Sequence, residues 1–159
     1  MDLSVIIVSY NVRHYLNQCL KSVIRSAEGL ETEIVVIDNN SSDGSDKMVS
    51  ENFPAVRLII NSLNSGFSAA CNQGIMASSG EFILLLNPDT FAEEETFAGC
   101  IRFMRARPDA GALGVKLING NGRLLPESKR ALPTPSTAFF KMSGLGWLFP
   151  RSGLFNRYY

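Results

Sequence analysis

The sequence predicts an α/β domain with a mainly parallel sheet and helices on both faces. Three observations predict it. Short, mainly apolar runs alternate with amphipathic stretches as far as Ile118. The first, Leu3–Ser9, carries no charge and is apolar at successive residues rather than at every second one, which is how a strand covered on both faces reads. Each run also ends in a polar cluster rich in turn formers, as expected where a strand hands the chain to a crossover helix.

Leu3–Ser9 (LSVIIVS) is the first strand. Val12, Tyr15, Leu16, Cys19, Leu20, Val23, Ile24 and Ala27 then recur at spacings of three and four, the stripe of an amphipathic helix, with Asn11 placed to cap its start. Glu33–Asp38 (EIVVID) is a second buried strand, and the loop NNSSDGSD (Asn39–Asp46) is dense in cap residues, Asp43 among them. A short helix with Met48, Val49, Asn52 and Phe53 on one side stops at Pro54, and Val56–Ile60 is a third strand. Gly66–Ser78 reads as a helix whose small residues Ala70, Cys71 and Gly74 let it sit close to the sheet. Phe82–Leu86 (FILLL) is a fourth strand, ending at Asn87-Pro88-Asp89. Thr90 and Glu93 form a capping box for a helix that turns Phe97, Cys100, Ile101 and Met104 inward. Glutamates at its start and arginines near its end suit its dipole, and Pro108 ends it. Ala112–Ile118 is expected to be a fifth strand, followed by a glycine turn, Asn119–Gly122.

Composition narrows the function. The chain has 159 residues, enough for one domain with a real core. Fifteen basic residues balance fifteen acidic ones, so the basic face of a nucleic-acid binder is missing. Cys19, Cys71 and Cys100 are an odd, widely spaced set, with no CxxC and one lone histidine, His14. They read as core thiols in a reducing compartment, neither a disulfide framework nor a zinc site. No signal-peptide pattern is visible, and the apolar run Val5–Val8 is far short of the roughly 20 residues of a spanning helix.

Parallel α/β sheets bind ligands at the carboxyl ends of their strands. Four such ends are polar here: Ser9-Tyr10-Asn11, Asp38-Asn39-Asn40, Asn61 to Gly66, and Asn87-Pro88-Asp89. Two of them carry a carboxylate. The convergence points to a small polar ligand with a divalent ion.

The strings SVIIVSYN (Ser4–Asn11), IVVIDNNSSDGS (Ile34–Ser45), NSGFSAACNQGI (Asn64–Ile75) and LLLNPDT (Leu84–Thr90) occur in this order and at these distances. Together they closely resemble the N-terminal nucleotide-sugar-binding half of family 2 glycosyltransferases of the GT-A fold, above all the bacterial rhamnosyltransferase-like members. The resemblance covers roughly residues 2 to 130. It implies that Ser9, Tyr10 and Asn11 lie against the nucleoside, and that Asp38 and Asn39 face the pyrimidine edge or ribose. It also puts Gly66, Asn72 and Asn87 with the donor. Asp89 aligns with the carboxylate that holds Mg²⁺ or Mn²⁺ on the diphosphate. A hard cation of this kind takes oxygen ligands and often only one or two carboxylates plus substrate phosphates. Asn87 stands where the family signature has its first acidic residue, so metal affinity without nucleotide is expected to be weak. Asn39 stands where some relatives carry a second Asp.

The implied reaction is inverting transfer from a dTDP- or UDP-sugar to a hydroxyl of a glycan or lipid-linked acceptor, in polysaccharide biosynthesis. The implied location is the cytoplasm, at the inner face of the cell membrane, with a peripheral membrane contact in the full-length protein. Inverting transfer needs a general base. In the family this is a carboxylate in the second half of the domain, and Glu127, the only acid after Asp109, matches no motif. The base is therefore expected beyond Tyr159, with residues 1–125 as the nucleotide-sugar-binding domain and 126–159 as the irregular start of an acceptor side, C-terminally truncated. The aromatics of that stretch, Trp147 and Phe149 among them, are expected to pack on the missing half.

Other classes meet obstacles in the same residues. A dinucleotide oxidoreductase wants GxGxxG after the first strand, and Ser9-Tyr10-Asn11 has no glycine. A phosphoacceptor signalling domain wants an acidic pair there, and the strand ends without an acid. A nucleotide-sugar-binding module without catalysis fits these residues as well as an enzyme does.

Overall fold

A computed structural model describes residues 1–125 and, beyond them, 135, 139, 142–144 and 149. Two compact units divide the chain, Met1–Asp109 and Ala110–Tyr159. The first unit alternates strand and helix: β1 (Leu3–Ser9), α1 (Arg13–Ser26), β2 (Thr32–Asp38), α2 (Ser45–Asn52), β3 (Arg57–Ile60), α3 (Phe67–Ala77), β4 (Phe82–Leu86) and α4 (Thr96–Ala106). All strand pairs are parallel, in the order β3-β2-β1-β4.

Every residue of β1 is buried, because β1 is paired on both edges and covered on both faces. Alternate side chains go to opposite layers. Leu3, Val5 and Ile7 join Leu16, Leu20 and Val23 of α1, Val49 of α2 and Phe97 and Ile101 of α4 in the larger core. Val8, Val35 and Ile37 meet Ala70 and Cys71 of α3 in the smaller one. Helices thus cover both faces, as the sequence predicts. Arg105 pins α4 to the amino edge of the sheet: its guanidinium donates to Asp2 and Glu81 at 2.7 and 2.6 Å and lies over the Phe82 ring. All three cysteines are free thiols. Among the described residues no helix is long and apolar enough to cross a membrane.

Several local expectations fail for physical reasons. The buried stripe of α1 is rotated: Tyr15 and Ile24 are 56% and 42% exposed, while Ser22 and Ser26 are buried. Asn11 does not cap α1. It adopts φ 54°, and the first amide of α1, on Arg13, is taken by Asp43 from a loop thirty residues away. Thr90 and Glu93 do not cap α4 either, since α4 starts at Thr96. The Thr90 amide instead donates to the Asn87 carbonyl and closes a turn around Pro88 and Asp89. Residues 112–117 form no strand. Leu113, Val115 and Leu117 keep the period-two pattern but are 39–40% exposed, and among the described residues pairing is confined to an antiparallel bridge, Ile118 with Leu124, across the expected glycine turn. Alternation says which side chains share a face; it does not supply a neighbouring strand. The expectations for Glu127, Trp147 and the rest of the acceptor-side segment fall outside the described residues, apart from the six named above.

Gly74 sets how closely α3 approaches the sheet. A Cβ there would collide with the branched side chain of Ile6. Alanine would gain up to ~1 kcal/mol of helix propensity and lose roughly 1–3 kcal/mol to overpacking. Gly74→Ala is expected to lower the urea midpoint without changing the slope of the transition; an equal or higher midpoint would contradict this packing.

Candidate functional site

The strand order reverses at β1. The chain runs outward from β1 through β2 to β3, then returns to lay β4 on the other edge of β1. This is the switch point at which open α/β sheets leave a crevice beyond the strand ends. The register sets the residues of the lip: Ser9 is level with Asp38, Asp38 with Ile60, and Ile7 with Leu86. Two amides extend the ladder past the strands, Asn39 to the Ser9 carbonyl at 2.8 Å and Asn61 to the Asp38 carbonyl at 2.9 Å.

Asp38 is 1% exposed, and its Oδ2 accepts the Ser41 amide at 2.9 Å. Its Oδ1 is buried without a hydrogen-bond partner among the described residues, and so is Oγ of Ser9, the residue beside it on β1. Both side chains belong to the sheet face that carries α1 and α2, by the alternation that sends Ile7 and Val36 there. Unpaired buried oxygens are uncommon and costly, about 1–3 kcal/mol each.

Asn39 has no such vacancy. Its Oδ1 accepts the Asn61 amide group, the Ser65 amide and the Ser65 hydroxyl at 3.1–3.2 Å, and its Nδ2 donates to Asn64 Oδ1 at 2.7 Å. With its amide spent on the loop from Asn61 to Gly66, Asn39 shapes that loop. Gly66 itself has φ 81°, a left-handed backbone that favours glycine, and its amide is held by Asn64.

On the other side of β2, the first two crossover loops are clasped together. Asn11 donates its amide to Ser41 Oγ at 3.0 Å and accepts the Ser42 amide at 2.8 Å. Asp43 accepts the amides that open α1 and α2, on Arg13 at 2.8 Å and on Ser45 at 3.0 Å, together with the Ser45 hydroxyl. Burial pushes the Asp43 carboxyl up, but these hydrogen bonds outweigh it and leave the group below its ordinary value of 3.8. Tyr10, at the head of the clasp, is 49% exposed.

Asn87 and Asp89 are exposed on the turn after β4, across β1 from Asp38. Beneath the turn, Cys19 donates its thiol to the Asn87 carbonyl at 3.6 Å. Burial first, and then the negative charge of Asp89, push that thiol up to about 12, so it stays protonated. No group of three or more His, Cys, Asp or Glu able to hold a metal occurs among the described residues. Asp89 is the carboxylate on this turn that could hold a divalent ion, and a hard cation with one protein carboxylate takes its other ligands from substrate phosphates and water. The register thus brings Ser9, Asp38 and the Asn87–Asp89 turn to adjacent strand ends, whereas Asn72 is exposed on α3 and tied to none of them by a hydrogen bond.

Comparison with known proteins points in one direction. The model of the family described as "Glycosyl transferase family 2" matches residues 4–157. Over 106 residues the chain is 31% identical to the minor teichoic acid biosynthesis protein GgaB of Bacillus subtilis, covering 64% of this chain and 12% of that protein. It is 27% identical to an uncharacterized glycosyltransferase of Nostoc, covering 97% of this chain and 50% of that protein. The chain thus spans half or less of these relatives. Among solved structures, Staphylococcus aureus TarS 1–349 in complex with UDP superimposes with a TM-score of 0.68 at 25% identity, covering 86% of this chain and 39% of that one.

The Asp43 clasp yields a pH signature. A carboxyl held below its unfolded value adds stability in full above that value and loses it as the pH falls through the lower, folded one. Asp43→Ala is expected to cost about 1–2 kcal/mol at pH 7, the scale of a lost helix cap. In urea melts the gap to the parent should shrink once the pH drops below 3.8, the ordinary carboxyl value. A gap that is unchanged at low pH would show that the carboxylate is not what holds the two loops.

Proposed function

The chain belongs to glycosyl transferase family 2, and from that premise we propose that residues 1–125 are the nucleotide-sugar-binding part of an inverting glycosyltransferase, with 126–159 opening its acceptor side. In the proposed reaction an acceptor hydroxyl oxygen forms a bond to the anomeric carbon of a dTDP- or UDP-sugar. The bond from that carbon to the diphosphate breaks, and the hydroxyl proton goes to a general base that we assign to no residue up to Tyr159. The acceptor is a glycan or a lipid-linked glycan, and the setting is the cytoplasmic face of the membrane.

The observation that carries this reading is that Asp38 Oδ1 and Ser9 Oγ, two of the three buried side-chain oxygens without partners among the described residues, belong to paired residues at adjacent strand ends. A uracil or thymine ring offers an imide N–H that would satisfy the carboxylate and a carbonyl that would accept from the hydroxyl. A ribose hydroxyl would serve the same atoms. The half-exposed Tyr10 supplies a ring face at the same strand end for stacking on a base. Asn11 and Asn39 act one step back, by holding the two loops that border the nucleoside. Gly66, Asn72 and Asn87 remain donor-side residues in this proposal. UDP in the TarS complex supports a pyrimidine nucleotide.

Asp89 is the residue that would hold Mg²⁺ or Mn²⁺. Such an ion supplies neutralisation of the charge that builds on the leaving diphosphate. Asn87, being neutral, adds no charge to the site, which makes Asp89 the single carboxylate on this turn.

Thermal shifts with UDP, dTDP, GDP and NAD, each with and without Mn²⁺, test the reading. A pyrimidine diphosphate at 100 times its Kd is expected to stabilise the protein by about 2.7 kcal/mol. Asp89→Ala should remove the part of that shift that depends on Mn²⁺. Asp38→Asn keeps an acceptor for Ser41 but turns a donor toward the base, so UDP affinity should fall at least tenfold, about 1.4 kcal/mol, with the melting point of the free protein little changed. Wild-type UDP affinity in Asp38→Asn would overturn the base-contact assignment, and a response to NAD alone would overturn the family chemistry.

A further inference from the structure

Asp89 is exposed, and its side chain makes no hydrogen bond or ion pair among the described residues, so its aim depends on the backbone that carries it. That backbone, from Asn87 to Glu95, has no regular structure, and its own hydrogen bonds reach only to near neighbours. Among the described residues, apart from the two bonds by which it runs into α4, every hydrogen bond that ties it to the rest of the fold comes from one face of α1. Cys19 donates to the Asn87 carbonyl at 3.6 Å. Ser22 Oγ accepts the Ala92 amide at 3.1 Å while donating to the Cys19 carbonyl at 2.8 Å. Ser26 Oγ donates to the Glu93 carbonyl at 2.8 Å. The spacings of three and four put all three on one stripe of the helix. Arg25, beside that stripe, lies over the Phe91 ring at 5.6 Å.

The two serines are 0% and 1% exposed, on a helix face where burial favours apolar side chains. Their hydroxyls are there for a reason other than solvation. Ser22 is used twice, once in each direction, which fixes its rotor; the Ala92 amide it satisfies is one that the segment's own irregular backbone leaves open.

We propose that Cys19, Ser22 and Ser26 of α1 are positioning residues for Asp89, a polar rack that holds the Asn87–Glu95 segment so that the carboxylate meets a divalent ion carried by a nucleoside diphosphate. The proposal rests on the reading of Asp89 given above. The rack adds no ligand of its own. It fixes the turn in advance, so that the ordering of a nine-residue irregular segment is not charged against ion binding.

Two measurements on the full chain test it. The first is hydrogen exchange by mass spectrometry. In Ser22→Ala and in Ser26→Ala, amides of the Asn87–Glu95 segment should exchange at least tenfold faster, while those of β1 and α3 keep parental rates. The second is UDP affinity with and without Mn²⁺. The variants should lose at least threefold of the tightening that Mn²⁺ gives the parent and stay within twofold of it when Mn²⁺ is absent. Because Ser22 is fully buried, Cys19→Ala and Cys19→Ser form a second set: the serine keeps a donor to Asn87 and should retain the Mn²⁺ response, whereas the alanine should lose part of it. If the parent tightens with Mn²⁺ and the variants tighten equally, or if the segment's exchange is unchanged, the rack is refuted while Asp89 keeps its role. If the parent itself shows no effect of Mn²⁺, the reading of Asp89 fails and the positioning role falls with it.

Discussion

The architecture depends on β1 being held from four sides. Strands pair with it on both edges, and helices cover both its faces, so a seven-residue run is wholly withdrawn from water. Because β2 and β4 lie on opposite edges of β1, the clasped loops after β1 and β2 and the turn after β4 border the crevice of the switch point from its two sides. The polar groups at its rim inherit their spacing from the sheet, about 4.8 Å from strand to strand.

That rim contains two kinds of polar residue. Asn39, Asn11 and Asp43 are bonded to backbone and side-chain groups of the loops and serve as internal scaffolding. Asp38 and Ser9 are buried yet keep an oxygen each without a partner among the described residues. The division is chemically sensible: a lip that closed all of its own hydrogen bonds would have nothing left with which to recognise a ligand, and one that closed none would not hold its shape. The same division recurs at β4, where the backbone of the turn is tied down and the Asp89 carboxylate is left in water.

The regular elements were legible because their signals are local. The run SVIIVS and the run IVVID need only their own composition to read as buried strands, and the small residues of α3 announce close packing before Gly74 is seen against Ile6. What was not legible depends on partners distant in sequence. Asn11 and Thr90 carry good capping chemistry, but the Arg13 amide was claimed by Asp43 and the Thr90 amide by a turn. Residues 112–117 alternate well and find no strand to pair with among the described residues. Ser22 and Ser26 do not stand out in the sequence because a helical stripe is traced by apolar side chains. A signal was present nonetheless: Ser22 and Ser26 sit four apart beside Cys19, and Tyr15 and Ile24, bulky enough to be assigned inward, were the ones left outside. Asp38 was legible as a strand-end acid, whereas its unpaired oxygen is a property of packing alone.

The clasp between the first two crossover loops has a consequence for how such a domain can diversify. Asn11 and Arg13 on one loop and Ser41, Ser42 and Asp43 on the other are joined by reciprocal bonds, and one carboxylate starts two helices. Neither loop can be exchanged, lengthened or recombined without stranding amides on its partner. The segments 10–13 and 40–45 therefore constitute one inheritable cassette despite the strand and helix between them, and a chimaera made by grafting loops would have to transplant both at once.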